Sequence, residues 1–128
     1  MAVQLNHTIV AARDAEEAAS WFADLFGVAV PRRFGHFWQV DTANGVALDF
    51  ASVGDREVAG QHYAFLVSED DFDAIFGRVR AGGLEHWADP MARRPGQINH
   101  NDGGRGVYFR NPDGHFLEII TRPYGSGS

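Results

Sequence analysis

The sequence predicts an α+β protein made of two tandem βαβββ modules, whose strands form a cup-shaped mixed sheet with the helices outside. Three observations carry this prediction. Two strand-like runs contain or begin with a histidine, His7 and His62, and each is followed by a capped amphipathic helix and three short strand candidates. Each series turns on Asn44-Gly45 or Asp113-Gly114, with an acid four residues after the glycine, Asp49 or Glu118. His7 and His62 are 55 residues apart, as are Gly27 and Gly82, so the halves read as a repeat in register.

The first module spans about residues 3–52. Residues 5–11, LNHTIVA, form its first strand. Asp14 with Glu17 makes a D-x-x-E helix start, and Ala18, Trp21, Phe22 and Leu25 recur at helical spacing until Gly27 stops the helix. Strands are expected at 28–32, 37–41 and 46–51. The linker, 52–60, is polar and featureless. The second module spans about 61–122 and begins with HYAFLV from His62. Ser68 with Asp71 repeats the cap, and Phe72, Ile75, Phe76 and Val79 share a helical face that ends at Gly82 or Gly83. Its remaining strands are expected at 84–88, 106–109 and 116–121. Strand side chains alternate between faces, so one histidine and one carboxylate per module can point into the cup.

Composition narrows the chemistry. The chain has 128 residues, 45% hydrophobic and 22% charged, as expected for one folded domain. No apolar run approaches ~18 residues and no secretory pattern opens the chain, so neither a membrane span nor export is expected. Cysteine is absent, which removes disulfides, thiol nucleophiles and thiolate metal sites and suits a cytoplasmic setting. The net charge of −6 argues against nucleic acid as a partner. All eleven basic residues are arginine, so Schiff-base chemistry and a P-loop lysine are excluded. Histidines and carboxylates are left to carry any reaction.

The anchors L-N-H at Leu5–His7, Q-H-Y-A-F at Gln61–Phe65 and the run from Arg105 through Y-F-R-N-P-D-G-H-F-L-E to Glu118 resemble the vicinal oxygen chelate superfamily. That superfamily includes glyoxalase I, extradiol dioxygenases, fosfomycin-resistance enzymes and bleomycin-binding proteins. The resemblance covers nearly the whole chain and implies that His7, His62 and Glu118 hold one divalent metal. Two neutral imidazoles and a carboxylate suit Fe(II), which is favoured here, as well as Mn, Ni or Zn, with positions left for substrate. Asp49, in the place equivalent to Glu118, is a candidate fourth ligand, one methylene shorter than the usual glutamate.

The stretch from I-N-H at 98–100 to Glu118 is similar to the extradiol ring-cleaving pattern. It implies catalytic roles for His100, as a hydrogen-bonding or acid–base group, and for Tyr108, holding a substrate oxygen. The chain departs from that pattern at 46–51, where no histidine stands; His36 is the nearest spare one. It departs from the fosfomycin enzymes in carrying Ile9 two places after His7 and in lacking lysine. The expected function is therefore a metal-dependent enzyme chelating a small molecule through two adjacent oxygens, either by extradiol-type ring cleavage or as a glyoxalase-type lyase or isomerase. The alternative is a resistance protein that sequesters an aromatic antibiotic at a dimer interface without catalysis, with His36, Trp38 and Trp87 lining the cavity. Retention of all three ligand positions favours the enzyme. Family resemblance implies a homodimer, with the sheet closed within one chain or by swapped modules.

Overall fold

The computed structural model describes residues 2–127. Its contacts divide the chain into two compact units, Met1–Ala59 and Gly60–Ser128. Each holds one helix and one four-stranded mixed sheet in the βαβββ order.

In the first unit β1 (His7–Ala12) leads into α1 (Ala15–Phe26), followed by β2 (Arg32–Phe34), β3 (Phe37–Asp41) and β4 (Ala47–Ser52). The strands lie in the order β1-β4-β3-β2, with β1 parallel to β4 and the other pairs antiparallel. The Asp14 side chain accepts from Glu17 N–H and caps α1, and Gly27 takes the left-handed conformation (φ 67°) that closes it. The helix buries Ala15, Ala18, Ala19, Phe22, Ala23 and Leu25. Phe22 meets Phe50 of β4 with ring centroids 5.9 Å apart, which seats the helix on one face of the sheet.

The second unit repeats this plan. β5 (His62–Leu66) leads into α2 (Glu69–Ala81), then β6 (His86–Trp87), β7 (Gly106–Arg110) and β8 (Phe116–Ile120), in the order β5-β8-β7-β6. Ser68 caps α2 by accepting from Asp71 N–H. Gly82 ends the helix, and Gly83 next to it is the left-handed residue (φ 68°). Phe72, Ile75 and Val79 are buried, and Phe76 stands edge-on to His86 at 5.1 Å.

Register extends the repeat beyond spacing. His7 lies opposite Ala47 and His62 opposite Phe116. Two residues on, Ile9 faces Asp49 and Ala64 faces Glu118. Across the antiparallel pairs, Gln39 lies opposite Asp49 and Tyr108 opposite Glu118. Paired residues share a face, so each histidine, its acid and that partner all project from the side the helix does not cover.

Several boundaries differ from those the sequence predicts. The second strand is 32–34 rather than 28–32, because Val28 N–H is spent on Ala23 O at the helix end and Pro31 has no N–H to give a ladder. The sixth is 86–87 rather than 84–88: Leu84 N–H bonds Val79 O and Ala88 N–H bonds Arg94 O, leaving two residues for the sheet. Ser52, expected to open the linker, ends β4, and its hydroxyl accepts from Ala15 N–H at 2.9 Å. The Asn44-Gly45 and Asp113-Gly114 turns are three-residue loops in which only the glycine has positive φ, 80° and 90°. Thr42 N–H to Val46 O and Asn111 N–H to His115 O close them. His36, with Gly35 (φ 59°), forms the β2–β3 turn and is not on a strand. No helix among the described residues is long and apolar enough to cross a membrane.

Candidate metal centre and its aromatic face

The geometry centres on the second unit. His62 opens β5 and Glu118 occupies the middle of β8, on the same face of adjacent strands. His62 Nδ1 lies 3.0 Å from the Phe116 carbonyl oxygen. A carbonyl can only accept, so Nδ1 carries the proton and donates. Its other nitrogen, Nε2, stands 3.1 Å from Glu118 Oε1. A lone pair facing a carboxylate oxygen is repulsive unless positive charge joins them, either a second ring proton or a cation. Glu118 is 0% exposed, a placement that a charged carboxylate tolerates only with strong partners.

His7 has the same preparation. Its Nδ1 is 2.7 Å from Asn6 Oδ1, an acceptor, which leaves Nε2 to ligate. Fixing one imidazole nitrogen on an oxygen so that the other can bind metal is the usual supporting arrangement around histidine ligands. Within the second unit, His62 Nε2 and Glu118 Oε1 therefore make a donor pair that fits a divalent ion, an imidazole nitrogen and a carboxylate oxygen facing each other on adjacent strands. Among the described residues, no three His, Cys, Asp or Glu side chains come together as a group that could hold a metal ion.

Asp49 is buried like Glu118 but satisfied differently. Gln39, in the register place of Tyr108, donates its amide to Asp49 Oδ1 at 2.8 Å. Where the second module sets an imidazole and a phenol on its acid, the first sets a neutral amide.

Around His62 the helix-free face is aromatic. Tyr108 stacks near His62 at 5.9 Å and on Phe116 at 5.3 Å, and Trp87 meets Phe116 at 5.8 Å. Arg110 lies over Trp87 and Phe116, its guanidinium carbon 4.9 and 5.3 Å from the ring centres. Tyr124, from the segment after β8, donates to Glu118 Oε2, and the Tyr108 hydroxyl stands 2.9 Å from that of Tyr124. With Tyr124's proton committed to the carboxylate, Tyr108 is the donor between the two phenols. Burial raises the Tyr108 phenol above its ordinary pKa. Tyr124 is raised further, by burial of its hydroxyl end and then by the bond to Glu118, although the residue as a whole is 58% exposed.

Of the residues the sequence singles out, His62, Glu118, Tyr108 and Trp87 come together on this face. His7 and Asp49 occupy the matching face of the first unit. Trp38 pairs with Phe50 and so projects with it toward α1. His36 is exposed at the β2–β3 turn. His100 is exposed just before a 3-10 turn at Asn101–Gly103, beyond the Asn99–Gly106 bridge. Arg93 and Arg94 belong to a loop whose backbone N–H groups are gathered by the Asp89 carboxylate at 2.7–3.0 Å.

Sequence reasoning did not single out Tyr124 or His115. Tyr124 lies in R-P-Y-G-S-G-S, which has no periodicity to mark it. His115 is fully buried, and its Nδ1 accepts from Gln61 N–H at 3.0 Å, anchoring the residue before His62. Its signal was its place beside the hairpin glycine, where a histidine has no turn role of its own.

Comparison with known proteins agrees with this architecture. The chain is 31% identical over 122 residues to metallothiol transferase FosB of Shouchella clausii, covering 91% of this chain and 79% of that one. It is 60% identical to the solved structure of Oxidase ChaP-H1, with a TM-score of 0.94 and coverage of 97% and 99%. Oxidase ChaP-H2 matches at the same identity and TM-score over the full length of both chains. A family model matches residues 4–119, and the chain belongs to the Glyoxalase/Bleomycin resistance protein/Dioxygenase superfamily.

Proposed function

We propose that the protein is a metal-dependent enzyme that oxidises a small aromatic substrate bearing two adjacent oxygens, in the manner of extradiol ring cleavage. The observation that carries this reading is the oriented pair His62–Glu118, set into the aromatic face of Trp87, Tyr108 and Phe116. Family membership supports a metal-dependent enzyme acting on a small molecule. The 60% identity to proteins named oxidases supports oxidation over isomerisation.

In this reading His7, His62 and Glu118 hold one divalent ion, Fe(II) by preference, and Asp49 stays outside the ligand set because the Gln39 amide engages it. When bound, the ion would supply Lewis acidity that lowers the pKa of a substrate hydroxyl. The chain supplies the rest. The aromatic face stacks the substrate ring and excludes water. Arg110 offers positive charge at the edge of that face. The Tyr108 phenol, held protonated by burial, would turn its O–H from Tyr124 to a substrate oxygen on binding. His100 is the acid–base candidate that the extradiol resemblance implies.

The test is a reconstitution. Protein purified without chelator should hold close to one metal per chain, and His7→Ala, His62→Ala or Glu118→Gln should each remove most of it. Anaerobic Fe(II)-loaded protein given catechols and then oxygen should consume oxygen and form yellow ring-fission products. Absence of metal after loading with Fe(II), Mn(II) and Ni(II) would overturn the reading. A thiol-transfer assay with fosfomycin covers the activity suggested by the FosB likeness, and is expected to show no turnover in a chain that carries Ile9 and no lysine. Drug binding that survives chelation, with the ligand unchanged, would indicate sequestration instead.

A further inference from the structure

The buried carboxylate of Glu118 has two oxygens with different partners. Oε1 faces His62 Nε2, and Oε2 accepts from the Tyr124 hydroxyl. Tyr124 reaches it from outside the sheet, through the segment that follows β8. That segment is held in a defined path. Thr121 N–H bonds Arg105 O at 2.9 Å, and Ser126 N–H bonds Pro123 O at 3.1 Å, forming a turn around Tyr124. Gly127 N–H points to Asp102 Oδ1 at 3.4 Å, and Gly127 runs so close to the Asp102 backbone that any side chain there would collide with it. Tyr108, donating to Tyr124 at 2.9 Å, orients the phenol from the other side.

We propose that Tyr124 is a positioning residue for the metal centre: its hydroxyl reserves Oε2 of Glu118, so that the carboxylate presents Oε1 alone to a bound divalent ion. The inference rests on the metal-binding reading of His62 and Glu118. Its physical basis is that a ligating carboxylate is oriented by the donor on its second oxygen, and removal of such a partner weakens metal binding about 10- to 100-fold. Without the phenol, a buried carboxylate is left with an unsatisfied oxygen and is free to rotate or to bind through both oxygens. The first module lacks this device. Its acid, Asp49, receives an amide on Oδ1 from its own sheet, and nothing equivalent to Tyr124 follows β4, where the chain passes into residues 53–59.

The test compares wild type, Tyr124→Phe and a chain ending at Arg122, each titrated with Co(II) and Mn(II) against a competing chelator. Wild type should bind tightly. Both variants should bind about 10- to 100-fold more weakly, with a change in the position and intensity of the visible Co(II) bands, which a purely structural role for the ring would not move. If Tyr124→Phe matches wild type in affinity and Co(II) spectrum, this inference fails while the metal centre stands. If wild type itself binds neither ion, the metal-binding reading fails and takes this inference with it.

Discussion

At the scale of single residues, the two modules show how one position can be built for different ends. Glu118 and Asp49 occupy the same register place, yet one accepts from a phenol and faces an imidazole while the other accepts an amide. Gln39 donates directly to Asp49, whereas Tyr108, in the same register place, bonds Tyr124, and Tyr124 donates to Glu118. His115 is as consequential as the candidate ligand it supports. Fully buried, it takes the Gln61 N–H and stands edge-on to Tyr63 at 5.6 Å, while Asn111 Oδ1 accepts its backbone N–H at 2.9 Å. His115→Ala would leave the Gln61 N–H without its partner and open a cavity, a loss of about 2–4 kcal/mol. Urea denaturation should show it as a lower midpoint, and weaker metal binding should accompany it because the start of β5 loses its anchor. Of these residues, His7, His62 and Glu118 were legible in the sequence because repetition marked them. His115 and Tyr124 were not, since a burial partner and a contact across six residues of irregular chain leave no periodic trace.

At the scale of elements, caps and turns behave as local chemistry dictates, and edges do not. Asp14, Ser68 and Gly27 stand where their side chains or lack of one predict, because a helix end is decided by neighbours within four residues. The edge strands β2 and β6 shorten because distant backbone groups compete for their hydrogen bonds, which local propensity cannot foresee. The junction of α2 with its sheet depends on Arg105. Its guanidinium bonds Glu69 Oε1 and Asp73 Oδ1, both at 2.8 Å, and lies 4.4 Å over the Phe72 ring. The Glu69 carboxyl is held below its ordinary pKa, first by a bond from Thr121 and then by Arg105. A depressed folded-state pKa contributes stability above the unfolded value, and that stability is lost as pH falls through the carboxylate range. Arg105→Ala should therefore lower Tm by a few degrees at neutral pH and flatten the decline of Tm on acidification; thermal melts across that range measure both.

At the scale of the whole molecule, the helix-free faces carry both the candidate ligands and exposed apolar side chains, Ile9 and Phe34 in the first unit and Leu66 in the second. Such faces gain by being covered, and with the family resemblance this supports a homodimer. Light scattering should report twice the 14.1 kDa chain mass. The sequence by itself determined the duplicated βαβββ plan, the helix caps, the hairpin positions and the paired histidines and acids, because periodicity, cap chemistry and repeat spacing are properties of neighbouring residues. Only the tertiary structure decided that Trp38 turns toward α1, that Tyr108 donates to a tail tyrosine, and that His62 fixes its tautomer on a carbonyl of the adjacent strand. Those outcomes depend on register and on approach across dozens of residues, where a shift of one position sends a side chain to the opposite face.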